Sequence, residues 1–161
     1  MNITILKSYD LNKNNVSKSG RFIPRGMSLA EIQDLETALN EGTPFPKAFR
    51  EYLYIGGKFN GIGYNDNLGD FVGLNKFYKE RIKERGLKID RPIMFMHNFE
   101  GEIGIFFYLD EATDDPVLWN CSVNEDYDSG DGKAIWKVPH PKFSTIVDDA
   151  VKAAVGGYSL W

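Results

Sequence analysis

The clearest structural signal in the chain lies in residues 92–123, which read PIMFMHNFEGEIGIFFYLDEATDDPVLWNCSV. Three apolar runs occupy residues 93–97, 103–109 and 117–123, and turn-forming residues separate them, namely Glu100-Gly101 and Asp114-Asp115-Pro116. Short apolar runs interrupted by such turns are typical of neighbouring strands. The stretch therefore predicts three strands of an antiparallel meander.

A fourth, shorter strand is predicted at residues 134–138, after a loop rich in acidic residues and glycine at residues 124–132. Pro139 and Pro141 follow this strand directly. Proline has no backbone N–H to donate to a sheet, so these two residues are expected to end the strand.

Helices are predicted on both sides of the strand region. The first follows Ser28, which has Glu31 three residues later and so matches the capping-box sequence. Apolar spacing, together with proline and glycine at the expected ends, predicts helices from residue 29 to about residue 40, from about 46 to 56, from 74 to about 85, and from about 144 to 154. Helices grouped around one run of strands favour an α+β fold, with an antiparallel-rich mixed sheet packed by N-terminal and C-terminal helices.

The domain organisation is expected to be simple, because 161 residues suit one domain and no linker interrupts the pattern. The core is predicted at about residues 28–155. Residues 1–26 form an N-terminal extension, in which the alternation of Ile3, Ile5, Tyr9 and Leu11 predicts an edge strand, and residues 12–20 are expected to form a loop.

Composition narrows the classes of function. The net charge of −4 disfavours binding to nucleic acid, which depends on clustered lysine and arginine. No segment has the length of apolar sequence needed for a secretion signal or a membrane span. The lone cysteine, Cys121, suits a reducing compartment, so a cytoplasmic protein without membrane contact is expected.

The order of several motifs resembles the SUKH (Smi/Knr-like) superfamily over about residues 28–155. The matching residues are Glu31-Ile32 with Leu35-Glu36; Pro46, Phe49, Tyr52-Leu53 and Gly56-Gly57; the strand at residues 105–110 followed by Asp115-Pro116-Val117-Leu118-Trp119; and Phe143-Ser144. The resemblance implies a SUKH-like domain that binds other proteins without catalysis. Many bacterial members are immunity proteins that neutralise a cognate toxin, often a nuclease, while some eukaryotic relatives are regulatory adaptors.

Acidic residues cluster in two connections of the strand region and form the candidate partner-binding site. They are hypothesised to create one acidic surface that attracts a basic toxin, with Trp119 and Tyr127 as aromatic anchors. A solvated loop without a partner is the alternative for the second connection. The acidic residues of the two connections are Asp110, Glu111, Asp114, Asp115, Glu125, Asp126, Asp128 and Asp131.

No catalytic, metal or cofactor site is predicted. His97, His140 and Cys121 occur without a sequence motif that would pair them with a nucleophile or a base, so structural roles are favoured for all three. The basic run at residues 76–88 is interpreted as a solvated helix face with internal ion pairs, and contact with RNA is its alternative. An endogenous adaptor and, third, a small enzyme are the alternatives to an immunity protein, and the oligomeric state is left open.

Overall fold

The computed structural model describes residues 1–15, 23–63 and 70–157, and these ranges form five α-helices and one four-stranded sheet. The predicted loop at residues 12–20 lies partly outside the described residues, and residues 64–69 and 158–161 lie wholly outside them. The elements, in chain order, are α1 (Lys7–Asn12), α2 (Leu29–Asn40), α3 (Lys47–Gly56), α4 (Phe71–Glu84), β1 (Ile93–Phe99), β2 (Ile103–Tyr108), β3 (Val117–Ser122), β4 (Ile135–Lys142) and α5 (Phe143–Gly156).

The sheet is an antiparallel meander with the order β1-β2-β3-β4, so the α+β prediction is confirmed. Its two faces are covered by different helices. On one face, the ring of Phe107 lies 5.1 Å from that of Phe49 in α3 and 6.5 Å from that of Phe143 in α5. On the other face, Phe95 stacks on Tyr78 of α4 with ring centroids 4.5 Å apart. Aromatic packing against both faces therefore makes the sheet the centre of the core.

Helix α2 begins as the sequence predicts. The Ser28 hydroxyl accepts a hydrogen bond from the Glu31 N–H at 3.2 Å, and the Glu31 carboxylate accepts one from the Ser28 N–H at 2.8 Å. An exposed ion pair between Glu31 and Lys58 adds to these bonds, and together they lower the pKa of Glu31 to about 2. Lys58, with the largest effect, and the capping box therefore together hold an ionised carboxylate at this helix end.

Replacing Ser28 with alanine is expected to lower the free energy of unfolding by about 1 kcal/mol at neutral pH, because the helix loses its cap. The folded-state pKa of Glu31 lies below its ordinary value, so the carboxylate's contribution is present above pH 4.5 and is lost as the pH falls towards 2. Thermal unfolding of the wild type, Ser28→Ala and Glu31→Gln at neutral pH and near pH 2 checks this. Gln33→Ala on the exposed face of α2 is the control; a Glu31→Gln effect that persists undiminished at low pH would contradict the assignment.

Helix α4 passes around the β1 edge of the sheet, because its first turn contacts one face and its later turns the other. Phe71 packs against Phe49 of α3, with ring centroids 5.7 Å apart, whereas Tyr78 stacks on Phe95. Between them, Asn75 is buried and takes the place of a neighbouring strand. Its Oδ1 accepts from the Phe95 N–H at 2.8 Å, and its Nδ2 donates to the Phe95 carbonyl at 2.9 Å. One amide side chain thus satisfies both backbone groups of an edge residue.

The predicted N-terminal edge strand is wrong. Residues Lys7–Asn12 form α1, which packs against α5. Leu6, directly before the helix, and Tyr9 within it are buried at helical spacing, while Leu11 is exposed. The buried carboxylate of Glu51 in α3 accepts hydrogen bonds from the N–H groups of Thr4, Ile5 and Leu6, at 2.8, 2.9 and 2.8 Å. These bonds satisfy the backbone before α1, so the segment has no need of a sheet partner.

The predicted end of the fourth strand is also wrong, because β4 continues through both prolines to Lys142. Trp119 pairs with Lys137 and Val117 pairs with Lys142, so two residue steps on β3 lie opposite five on β4. The extra residues form a bulge in which His140 has a φ of 52°. Prolines in a bulge of an edge strand remove no ladder hydrogen bond, which is why the strand tolerates them.

Candidate functional site

A row of aromatic and cationic side chains lies on the sheet near the connection between β2 and β3. We call Arg91, Tyr108, Trp119 and Lys137 the aromatic row. The rings of Tyr108 and Trp119 meet edge to face, with centroids 5.7 Å apart. The guanidinium carbon of Arg91 lies 3.7 Å from the Tyr108 centroid, and the Lys137 Nζ lies 5.2 Å from the Trp119 centroid. Each ring thus carries a cation over its face.

Strand register brings three members of this row together. Trp119 pairs with Phe106 on one side and with Lys137 on the other, and Tyr108 lies two residues beyond Phe106, so Tyr108, Trp119 and Lys137 share one face of the sheet. Arg91 precedes β1 and has no place in this register. Tyr108 and Trp119 are partly exposed, while Lys137 is exposed. The Trp119 Nε1–H is itself buried and has no hydrogen-bond partner within the described residues, so it is not accessible to a binding partner.

Arg91 links the aromatic row to the acidic connection between β2 and β3. Its Nε lies 2.9 Å from Asp110 Oδ2 and its Nη2 lies 2.6 Å from Asp110 Oδ1, and Glu111 Oε1 is 3.4 Å from Nη2. The hydrogen bonds from Arg91 hold the pKa of Asp110 below its ordinary value. Asp110 is therefore ionised, and together with Glu111 it orients the guanidinium of Arg91 flat on Tyr108.

Asp115 and Asp114, the other two acidic residues of this connection, have different roles. Asp115 accepts hydrogen bonds from the Ser144 N–H at 3.0 Å and from the Ser144 hydroxyl at 2.7 Å, so it caps the first turn of α5. Asp114 is exposed, and its side chain has no polar partner within the described ranges. Asp114 is thus the carboxylate in this connection that remains free for a partner.

The second acidic connection, between β3 and β4, is mostly paired internally. Arg85, which directly follows α4, donates to Asp128 at 2.7 Å, and this lowers the pKa of that carboxyl group. Asp131 is bonded to Lys133 and Ser129, and its pKa is lowered as well. Three side chains of this loop remain exposed on a short 3-10 helix, namely Glu125, Asp126 and Tyr127.

The structure does not bring the two acidic connections together, so the prediction of a single acidic surface is wrong. In an antiparallel meander, successive connections lie at opposite ends of the strand that they share. Strand β3 has six residues, and at the usual rise of about 3.3 Å per residue it keeps the two connections about 20 Å apart. Trp119 lies at the same end of the sheet as Asp110, Glu111 and Asp114. Tyr127 lies at the opposite end, in the β3–β4 connection.

A cleft of about 850 Å³ opens on the other side of the β2–β3 connection. Residues 109–114 form one wall. Residues 43–46 and the start of α3 form the opposite wall, where Lys47 and Arg50 of α3 provide positive charge. The Nε of Arg50 lies 3.0 Å from Glu36 Oε1, close enough for an ion pair but without the angle of a hydrogen bond. The acidic connection thus stands between the aromatic row and a cleft of mixed charge.

The residues that could have suggested catalysis lie apart from this site. Cys121 is buried, and burial raises the pKa of its thiol to about 11, so it is protonated at neutral pH and a poor nucleophile. His97 is buried in β1, while His140 is exposed in the β4 bulge. Within the described residues, no three His, Cys, Asp or Glu side chains are grouped so as to hold a metal ion. None of the described helices has the length and apolar character of a membrane span.

No family model, curated protein or solved structure matches the chain. The resemblance to the SUKH superfamily therefore stays a prediction from sequence motifs.

Proposed function

We propose that this chain is a protein-binding domain without catalytic activity, and that it docks onto its partner through the aromatic row and the adjoining β2–β3 connection. The observation that supports this is the composition of the row. Tryptophan, tyrosine and arginine are the residues that most often dominate the binding energy of protein interfaces. Here they are packed against one another on a rigid sheet, with the rings partly exposed, so little conformational entropy would be lost on binding.

The partner we propose is a cognate toxin with a basic contact surface, which the chain neutralises by stoichiometric binding in the cytoplasm. The motif resemblance supports an immunity protein, and the buried free thiol of Cys121 suits a reducing compartment. Beside the row, Asp114 is exposed and has no internal partner within the described residues, and this free carboxylate favours a basic contact surface. No cofactor or metal is part of the proposal.

The test uses the protein encoded directly upstream as the candidate toxin, with growth rescue and a binding titration as readouts. Trp119→Ala is expected to weaken binding at least about tenfold, because it removes the central anchor. The matched control is Tyr127→Ala, an exposed aromatic residue at the opposite end of the sheet, which is expected to leave affinity and rescue unchanged. Both variants are first checked for wild-type thermal unfolding, and Trp119→Phe replaces Trp119→Ala if the latter does not fold.

Tight binding that depends on Trp119 but not on Tyr127 would support both the interface and the immunity function. Binding that depends on Tyr127 instead would move the interface to the β3–β4 connection. Absence of both binding and rescue would overturn the immunity function in favour of an adaptor with an endogenous partner.

A further inference from the structure

A second surface lies in the groove between α2 and α4, and among the members of the aromatic row Arg91 lines the cleft that adjoins it. The α2–α4 groove is lined by Leu39 of α2 and by Val72, Lys76, Lys79 and Lys83 of α4. At its far end it joins a cleft of about 830 Å³ beneath the segment that connects α4 to β1, where Leu87 and Ile89 add apolar surface. The groove is thus an elongated depression with an apolar floor.

Three lysines form a line along one wall of the groove. Lys76, Lys79 and Lys83 follow one another at spacings of three and four residues, which places them on one face of α4. All three are exposed, and none has an ion-pair partner among the described residues. The expectation of internal ion pairs along this helix holds for Arg81, which pairs with Glu84, but not for the lysine line.

The lysine line is unusual because the chain as a whole is acidic, with a net charge of −4. Three unpaired ammonium groups on one helix face repel one another and lower the stability of the helix slightly. The same face leaves Val72 48% exposed. Unpaired positive charge beside exposed aliphatic surface is the complement of a ligand that carries both carboxylates and apolar side chains.

We propose that the α2–α4 groove binds an acidic amphipathic helix of a protein partner. From Val72 to Lys83 the groove follows twelve residues of α4, whose eleven steps of 1.5 Å correspond to about 17 Å or three helical turns. A partner helix of that length places leucine-like side chains against Leu39 and Val72, and places glutamate or aspartate opposite the lysine line. This surface goes beyond the proposed function and does not depend on it.

A nucleic acid fits the same groove less well. None of the described residues that line the groove or the adjoining cleft is aromatic, so unpaired bases find no ring to stack on. Three carboxylates, those of Glu41, Glu80 and Asp90, also lie along the lining and would repel a phosphate backbone. Carboxylates of a peptide helix can be spaced to avoid them, because side chains on a helix occupy discrete positions.

The experiment is a selection from a phage-displayed library of helical peptides with random exposed faces, followed by fluorescence anisotropy with the enriched peptides. The groove variant is Lys79→Glu/Lys83→Glu. The control is Lys7→Glu/Lys152→Glu, which changes the net charge equally on exposed helix positions away from the groove. A single-stranded RNA oligonucleotide is titrated in parallel.

Enriched peptides are expected to carry acidic and large aliphatic side chains at helical spacing. Their affinity should fall at least about tenfold in the groove variant and by less than about twofold in the control, since the loss comes from direct charge contacts. Three results would overturn the proposal: no enrichment, peptides whose binding does not depend on Lys79 and Lys83, or RNA binding tighter than that of every peptide. None of these readouts uses a variant of Trp119 or Tyr127. A negative result here therefore does not overturn the proposed function, and a negative result there does not overturn this proposal.

Discussion

Replacing Asn75 with leucine should lower the free energy of unfolding by about 3 kcal/mol, although leucine is of similar size and wholly apolar. The loss arises because the N–H and carbonyl of Phe95 both bond to the Asn75 amide and lie in the core. Leucine leaves both groups without a partner and without access to water, and each orphaned group costs about 1–3 kcal/mol. Urea denaturation of the purified variant measures the change.

Two further variants sharpen this test. Asn75→Asp keeps an acceptor for the Phe95 N–H but turns a carboxylate towards the carbonyls of Phe95 and Phe71, which the Asn75 Nδ2 contacts at 2.9 Å each. Its instability should therefore be greatest at neutral pH and should lessen as acid protonates the carboxyl group. Lys76→Ala, on the exposed side of the same helix, should change the stability by less than about 0.5 kcal/mol. An Asn75→Leu variant as stable as Lys76→Ala would show that the amide does not satisfy the strand edge.

Replacing Glu51 with alanine should also cost about 3 kcal/mol, because three successive backbone N–H groups lose a charged acceptor at once. The effect should be concentrated in the N-terminal segment, since the bonded groups belong to Thr4, Ile5 and Leu6. Without these bonds, α1 has no anchor at its start, and the buried side chains of Leu6 and Tyr9 are exposed when it detaches from α5. Hydrogen exchange of the three amides should rise by much more than that of β2.

The conservative change Glu51→Gln separates charge from shape. Its amide oxygen can still accept from Ile5 and Leu6, while its NH₂ group faces the Thr4 N–H, so the loss should be about half that of alanine. Asp34→Asn, an exposed carboxylate on α2 with no side-chain contact among the described residues, is the matched control and should have no measurable effect. Unchanged exchange at Thr4, Ile5 and Leu6 in Glu51→Ala would contradict the role assigned to this carboxylate.

Local signals in the sequence predicted most of the fold correctly. The capping box of α2 and the three strands of residues 93–123 depend on neighbours within a few residues, and the structure contains all of them. The N-terminal segment was mispredicted because its conformation depends on Glu51, which lies more than 40 residues away in sequence. Strand alternation there was coincidental, since Leu6 and Tyr9 provide the buried contacts at helical spacing. A contact with a carboxylate so distant in sequence produces no recognisable pattern among the residues of the N-terminal segment itself.

The candidate site was only partly predictable. The sequence points to Trp119, but Tyr108 and Lys137 join it only through strand register, which a single sequence does not specify. Arg91 joins the row through its contacts with Asp110 and Tyr108. The separation of the acidic connections, in contrast, could have been predicted. A meander places successive connections at opposite ends, so the strand prediction already excluded one continuous acidic surface.

The bulge of β4 has a consequence for how this protein behaves at high concentration. An edge strand with a regular row of free N–H and carbonyl groups invites a strand from another molecule, and that contact can propagate into aggregates. Pro139 and Pro141 remove two donors from this row, and the bulge bends what remains out of register. The same prolines that made β4 hard to recognise in the sequence therefore disfavour the addition of a strand from another molecule at the β4 edge of the sheet.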